Sequence, residues 1–438
     1  MNQPLHRLGV AELAAGYAAR AFTPTDVVAH LLARIEQLDP KLRAFIEVDA
    51  KGARQAAADS GGRIAAATDR ALEGIPIAVK ANVEVKGLET SAGMDARRGI
   101  VARQDADAVA RLREAGAIIL GTLNMHEAAL GADNDNPWFG RAINPHGEQR
   151  TPGGSSGGSG IAVAAGLCAA SIGTDTLGSV RIPAAYCGVY GLKPTAGAVS
   201  QQGLELVAEG FDTIGPLARS LGDLEAIFRT LADVGEPRAI AQVSTLKDLG
   251  GVCSEPAVIS AYERALSALR TQGVPVEERL ELDLQPIRVA GFVAAARELG
   301  GRLQALRETN ASGFSESLLF LLEYGAGCST NRLSAGAELL AEASDKIRGA
   351  VSDNALLLPT APQASFLHGS RAPANQADFT ALASISGLPA LSIPAGHDEQ
   401  GMPVAVQLVG AAGNELGLIE LAKRLEPHLG GWIRPPSF

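Results

Sequence analysis

The sequence predicts an α/β fold, a sheet with helices on its faces, and three observations carry that prediction. A helical pattern, a glycine and a short apolar run succeed one another between residues 106 and 120. The run IPIAVK at 75–80 reads as a buried strand. After a long helical stretch, apolar strand patterns return between residues 355 and 409. Alternation of helical and short apolar segments is what a sheet covered by helices requires of its chain.

The first helix start is Thr23-Pro24-Thr25-Asp26, a capping residue followed by proline and an acidic group. Val27, Val28, Leu31, Leu32 and Ile35 then recur at helical spacing. Residues from Ala71 to Lys80 end in the apolar IPIAVK run. Ala106, Val109 and Leu112 mark another amphipathic helix, Gly116 is its expected C-terminal stop, and AIIL at 117–120 is the strand that follows. A Gly/Ser-rich stretch, PGGSSGGSG, runs from Pro152 to Gly160, and an Ala-rich helix pattern follows it from Ile161 to about Leu167. Residues 220–350 are mostly helical in pattern. Strands are expected again at 355–359 (ALLLP), 390–394 (ALSIP) and 404–409 (VAVQLV). No repeat and no linker composition interrupts the chain, so residues 1–438 read as a single domain with the region 220–350 lying over the sheet.

The chain has 438 residues and 46% hydrophobic content, enough to bury a large core. Its formal net charge is −10 and it has no run of Lys or Arg. That balance argues against binding nucleic acid or an anionic membrane. The four cysteines, Cys168, Cys187, Cys253 and Cys328, form no CxxC pair, and buried reduced thiols fit better than a disulfide framework. No stretch of about 18 apolar residues suggests a membrane span. The opening residues lack an uninterrupted apolar segment, so no signal peptide is expected and the protein is expected to be cytoplasmic.

The Gly/Ser stretch has three generic readings. A flexible linker fits poorly, because a helix begins at once and the flanks are not disordered in composition. A phosphate loop lacks its Gly-Lys-Ser/Thr. Gly153-Gly154-Ser155-Ser156-Gly157 matches the G-x-S-x-G elbow of α/β-hydrolases, but such an elbow follows a strand, and NPHGEQRTP is polar with two prolines. A second glycine-flanked serine, Ser179, lies in SIGTDTLGSVRIPAAYCG at 171–188. Small residues there allow a turn whose N–H groups converge on a developing oxyanion, with Ser179 at its end. An ordinary turn before a short helix is the alternative.

Taken together, these segments resemble the amidase signature family, whose members are Ser-Ser-Lys amidohydrolases. The resemblance is carried by GIPIAVK (74–80), ILGTLNMHEAALG (119–131), NP (144–145) leading to RTPGGSSGGS (150–159), IGTDTLGSVRIPAAYCGVYGLKPT (172–195) and DTIGPLARS (212–220). It continues through GLPALSIPAG (387–396) and GMPVAVQLVG (401–410), and is weakest between 230 and 350. It implies a single α/β/α domain around a large twisted mixed sheet, with the helical region 220–350 lining the substrate pocket. It implies that Ser179 is the acyl-forming nucleophile, Ser155 the bridging serine and Lys80 the base. It also implies a cis peptide at Gly154–Ser155 and an oxyanion hole from the N–H groups of Thr176, Leu177, Gly178 and Ser179. Ser156, Asp175 and Arg181 are expected to hold these turns from behind.

The chemistry agrees with those roles. A serine hydroxyl is a poor nucleophile until a base takes its proton. Lysine is a poor base at neutral pH because its ordinary pKa is about 10.4, and burial lowers that value. Lys80 ends an apolar strand, where burial is expected.

Two positions depart from the family pattern. Leu177 stands where the family usually has glycine, and a leucine at positive φ would be strained by about 1–2 kcal/mol. Its side chain is expected to narrow the acyl pocket. Ala81 replaces the aspartate that commonly follows the lysine, which removes a supporting partner for Lys80. His126-Glu127 is not a zinc motif, since H-E-x-x-H would need a histidine where Leu130 stands.

The expected reaction is hydrolysis of the C–N bond of a small soluble amide, with no cofactor and no metal. The expected partner is that small molecule, and a homodimer is the assembly considered. Two alternatives stand beside it: the glutaminase subunit of a tRNA-dependent amidotransferase, and a non-catalytic binding protein on the same scaffold. The first would need partner subunits, and the tyrosine-rich helical segment associated with that subunit is not apparent around 320–350.

Overall fold

The computed structural model describes residues 3–438, and a single sheet of 11 strands runs through them. In chain order the strands are β1 (Phe45–Val48), β2 (Pro76–Lys80), β3 (Ile118–Leu123), β4 (Asp135–Asn136), β5 (Gly140–Arg141), β6 (Ala170–Asp175), β7 (Tyr190–Lys193), β8 (Thr213–Ala218), β9 (Val243–Leu246), β10 (Val276–Leu280), β11 (Ala355–Pro359), β12 (Ala390–His397) and β13 (Pro403–Gly410). The small pair β4–β5 stands apart. The main sheet has the order β1-β3-β2-β6-β8-β7-β12-β13-β11-β9-β10. It is mixed: β3, β2 and β6 are parallel to one another, as are β11, β9 and β10, and the pairs from β6 to β11 across the middle are antiparallel.

The strands at the heart of the sheet are buried along their whole length, as β2, β3, β6, β8, β11 and β13 show. That is why they read in the sequence as continuous apolar runs rather than as alternating ones. The first long helix is Pro24–Leu42, and the Thr23 side chain accepts from the Asp26 N–H at 3.2 Å, as the cap motif requires. The helix Asp107–Glu114 ends in a turn through Gly116 at φ +98° before β3. The helix after the Gly/Ser stretch is Gly157–Ala164, so it begins four residues earlier than its alanine pattern suggests. Glycines start it because a side chain at Gly158 would collide with the carbonyls of Asn124 and Ala44.

The region 220–350 is not wholly helical. It contributes β9 and β10 at one edge of the sheet, together with six helices, among them Leu284–Arg302, Glu316–Ala326 and Thr330–Ala350. The charged strand β10 is largely exposed, so no apolar alternation marked it. The helices Leu284–Arg302 and Glu316–Ala326 close an apolar cluster in which Ala295, Leu299 and Leu318 meet Met94, Met125 and Val207. All four cysteines are free; Cys168 and Cys187 are buried as expected, but Cys253 is exposed and Cys328 half-buried. No helix among the described residues is long and apolar enough to cross a membrane.

Candidate active site

β2 and β6 lie side by side and parallel, with Val79 opposite Ile172, so their carboxyl ends reach the same edge of the sheet. Ligand sites form at the carboxyl ends of parallel strands because the turns that leave them converge there. Lys80 is the last residue of β2, and β6 ends at Asp175 in the turn that leads to Ser179. The Gly/Ser loop completes the edge. It follows no strand, which excludes a nucleophile elbow, and it carries a cis peptide bond between Gly154 and Ser155.

Lys80 is completely buried. Its Nζ lies 2.7 Å from Ser155 Oγ and 2.7 Å from Thr174 Oγ1. Both partners are neutral hydroxyls, so no directly bonded carboxylate offsets the cost of burying an ammonium. Burial lowers the Lys80 pKa to about 7, against the opposing pull of the Asp212 and Asp175 carboxylates. The amine is therefore substantially neutral at ordinary pH, with a lone pair available for a proton.

Ser155 is fully buried, and its carbonyl accepts from the His126 N–H at 3.0 Å. Ser179 is half-buried, the most exposed of the three residues. The Ser155 and Ser179 hydroxyls are not hydrogen-bonded to one another in this structure. Their loops are tied through the backbone instead, with the Ser156 N–H donating to the Ser179 carbonyl at 3.2 Å. The Ser156 hydroxyl donates to the Thr174 carbonyl at 3.1 Å, which holds the Gly/Ser loop against β6.

The turn after β6 is organised by one buried ion pair. Asp175 and Arg181 are both wholly buried, with Arg181 Nη2 2.9 Å and Nε 3.0 Å from the two carboxylate oxygens. The same carboxylate accepts the N–H of Gly178 at 2.7 Å and of Val180 at 3.1 Å. Burial alone would raise the Asp175 pKa; the Arg181 guanidinium beside it and these N–H donors hold it below the usual carboxylate range. Arg181 also reaches the Thr380 carbonyl, Gln407 and Ser384 at 2.9 to 3.0 Å. It thereby binds the turn to β13 and to the helix Asp378–Ile385.

These bonds revise the expected oxyanion hole. The Gly178 N–H donates to the Asp175 carboxylate and is thus occupied within the turn. The N–H groups of Thr176, Leu177 and Ser179 have no protein acceptor among the described residues. The strain that a leucine at positive φ would bring does not arise at Leu177: the residue in the turn with positive φ is Gly178, at +133°. Leu177 carries no backbone strain because the glycine after it adopts the unusual conformation.

The missing aspartate after Lys80 leaves no visible gap. Ala81 is buried, and its methyl packs in the apolar cluster with Met94, Met125 and Val207. Support for the lysine comes from Thr174, whose hydroxyl also accepts from Asn82 Nδ2 at 3.2 Å. Asp212 lies beyond, accepting from the Thr176 hydroxyl at 2.5 Å and from the N–H groups of Val207 and Ala208 at 2.6 and 3.1 Å. Burial pushes its pKa up to about 6 against those bonds and the nearby Lys80. Thr174, Asn82 and Asp212 were not singled out from the sequence. Thr174 and Asp212 lie inside matching segments, and Asn82 sits two residues after the lysine. What was lacking was the strand pairing: β2 beside β6 brings Lys80, Asn82 and Thr174 together, and β8 beside β6 brings Asp212 to the same edge.

His126 and Glu127 do not form a metal site. Glu127 bonds to Trp138 Nε1 at 2.8 Å and to the Ser315 N–H at 3.1 Å, while His126 faces Asp133 at 3.0 Å. No group of three or more candidate ligands for a metal occurs among the described residues.

Comparison with known proteins agrees with this architecture. The family described as Amidase matches residues 26–419. The chain is 36% identical to the A-type subunit of the glutamyl-tRNA(Gln) amidotransferase of Anaeromyxobacter dehalogenans (strain 2CP-C), over 99% of this chain and 98% of that one. A crystal structure of an amidase superposes with a TM-score of 0.90 at 30% identity, covering 97% of this chain and 100% of the other. The native peptide amidase of Stenotrophomonas maltophilia superposes with a TM-score of 0.84 at 29% identity, covering 99% of each chain. This chain belongs to the amidase family.

Proposed function

We propose that the protein hydrolyses the carboxamide C–N bond of a small amide through an acyl-enzyme on Ser179. The observation that carries this reading is the buried, hydroxyl-bonded Lys80, 2.7 Å from Ser155 at the edge where Ser179 emerges. A lysine with a pKa of about 7 and no directly bonded carboxylate is suited to taking a proton.

In this reading, Lys80 takes the Ser155 proton as Ser155 takes that of Ser179. Ser179 Oγ bonds to the carbonyl carbon, and the N–H groups of Thr176, Leu177 and Ser179 face the oxygen that becomes negative. The C–N bond breaks as the proton returns through Ser155 to the leaving nitrogen, so the products are the acyl-enzyme and ammonia or an amine. Water then repeats the sequence on the ester and releases the carboxylate. Approach of substrate brings the two serine hydroxyls into contact; such catalytic hydrogen bonds commonly tighten only in the bound complex. Ser156, Asp175 and Arg181 act by holding the two turns in place.

A second reading has one observation in its favour. The relative from Anaeromyxobacter dehalogenans is named as part of a glutamyl-tRNA(Gln) amidotransferase, and the present chain covers nearly all of it. In that reading the chain would release ammonia from glutamine for use on charged tRNA. Ammonia release over a panel of small amides, ureas, amino acid amides and glutamine tests both. The first reading expects turnover of simple amides by the isolated chain, lost by about 10⁴-fold or more in Ser179→Ala. Release from glutamine alone, and only with charged tRNA and partner subunits, would favour the second. Turnover undiminished in Ser179→Ala would contradict both.

A further inference from the structure

We infer that Asp212 is a positioning residue that acts through Lys80: its buried carboxylate is the countercharge for the ammonium that forms on Lys80 when the serine proton arrives. The inference rests on the acyl-transfer reading above. Asp212 stands one residue before β8, and Asp175 pairs with Thr213 in the ladder between β6 and β8. The carboxylate therefore belongs to the edge at which β2 and β6 end. Two hydroxyls join the charges, one at the end of β6 and one just beyond it. Thr174 Oγ1 lies 2.7 Å from Lys80 Nζ, and the Thr176 hydroxyl donates to Asp212 Oδ1 at 2.5 Å.

Two carboxylates are buried at this edge, and only one is neutralised locally. Asp175 is ion-paired with Arg181, and Lys193 at the end of β7 adds a second cation. Asp212 is also buried, but its carboxylate is bonded only by the Thr176 hydroxyl and by the N–H groups of Val207 and Ala208. No Lys, Arg or His among the described residues forms an ion pair with it, and the cation that acts on it is Lys80. The groups bonded to Lys80 or to its hydroxyl partner, Ser155, Thr174 and Asn82, are all neutral. With a pKa of about 6, Asp212 is charged in the range where Lys80 titrates.

The reaction gives that lone charge a use. Lys80 starts neutral, becomes an ammonium while it holds the proton of Ser179 relayed by Ser155, and is neutral again once the proton has passed to the leaving nitrogen. Asp212 gains and loses no proton. Its attraction for Lys80 is present only while the ammonium exists, which is where stabilisation raises the rate. The same attraction opposes the lowering of the Lys80 pKa by burial. Asp175 cannot serve equally, because Arg181 cancels its charge.

The test is the pH profile of kcat/KM for p-nitrophenyl acetate, in which Ser179 Oγ bonds to the acyl carbon and p-nitrophenolate leaves. Asp212→Asn removes the charge at constant size. The limb that rises with pH is expected to move down by about one pH unit, and the plateau above it to fall about tenfold, since the ammonium loses the same attraction. Asp212→Glu keeps the charge and should leave the limb in place. A merely structural role has the opposite sign, because a loosened turn admits water to Lys80 and moves the limb up toward the ordinary lysine value. If Asp212→Asn does not fold, Thr176→Val carries the test: losing one donor favours the uncharged carboxyl, so the limb should move down by less. A limb that stays or moves up in the folded variant, or that moves down equally in Asp212→Glu and Asp212→Asn, would overturn the inference while leaving acyl transfer intact. Absence of the limb in the native protein, or undiminished acylation in Ser179→Ala, would overturn it together with the reading beneath it.

Discussion

Lys80 was legible from the sequence as the end of an apolar strand and Ser155 and Ser179 as glycine-flanked serines, but their roles as base, bridge and nucleophile were implied by the family resemblance. Thr174 was not legible, since its importance arises from a neighbour 94 positions away in the chain, whose amine it meets at 2.7 Å. The hydroxyl gives the lysine a second fixed contact, so that the amine points at Ser155 rather than turning among rotamers. Thr174→Val, which removes the oxygen at nearly constant volume, should lower kcat by about tenfold with little change in KM, as expected when a positioned proton acceptor is loosened. Steady-state kinetics on a substrate of the native enzyme provide the check, and an unchanged kcat would contradict the role. Gly178 illustrates the converse limit: the motif offers four consecutive N–H groups, and only the side chain of Asp175 decides that one of them is used within the turn.

The turn from β6 to the short helix Arg181–Tyr186 is an element built on a buried charge pair. Such a pair contributes little compared with a well-packed apolar pair, but removing one partner strands the other in a medium that cannot solvate it. Arg181→Met should therefore cost about 3–5 kcal/mol in chemical denaturation, because Asp175 loses its cation and Thr380, Gln407 and Ser384 lose a donor. A cost below about 1 kcal/mol would mean that the pair does not organise the turn. A second element-scale prediction concerns the N-terminal segment. His6 Nδ1 and His30 Nε2 lie 3.0 Å apart with their rings stacked. Burial, followed by the charge of Arg34 and the other histidine, lowers the His6 pKa to about 4, and burial with Arg34 lowers that of His30. Both rings are neutral when folded and titrate near 6.5 when unfolded. Stability from this pair is thus complete above about pH 6.5 and is lost as pH falls toward 4, because the unfolded chain binds the extra protons. Thermal melting between about pH 7 and 4 should show a smaller loss in His6→Gln than in the native chain; equal losses would count against the pair as the cause.

At the scale of the molecule, the parts of the fold with strong local signals were legible and those defined by long-range pairing were not. The C-terminal strands at 355–359, 390–394 and 404–409 coincide with β11, the start of β12 and most of β13, since short, predominantly apolar runs in this setting have few other readings. The antiparallel insertion of β8 and β7 between β6 and β12, and the recruitment of β9 and β10 from a helix-rich region, depend on partners that no short window contains. The large mixed sheet and the candidate catalytic residues were implied by family resemblance. The sheet's role is to bring the ends of β2 and β6 to one edge, where Lys80 meets Ser155 and the turn carrying Ser179 is tied alongside through the backbone, although the chain separates these residues widely. The most direct test of that convergence is the pH dependence of Ser179 acylation in the native protein and in Lys80→Met. The account predicts that native kcat/KM rises with pH through an apparent pKa of about 7, as Lys80 loses its proton and becomes a base. It predicts that Lys80→Met loses this limb together with about 10³-fold or more of the rate. A folded Lys80→Met that keeps the same limb, or acylates within about tenfold of the native rate, would contradict it.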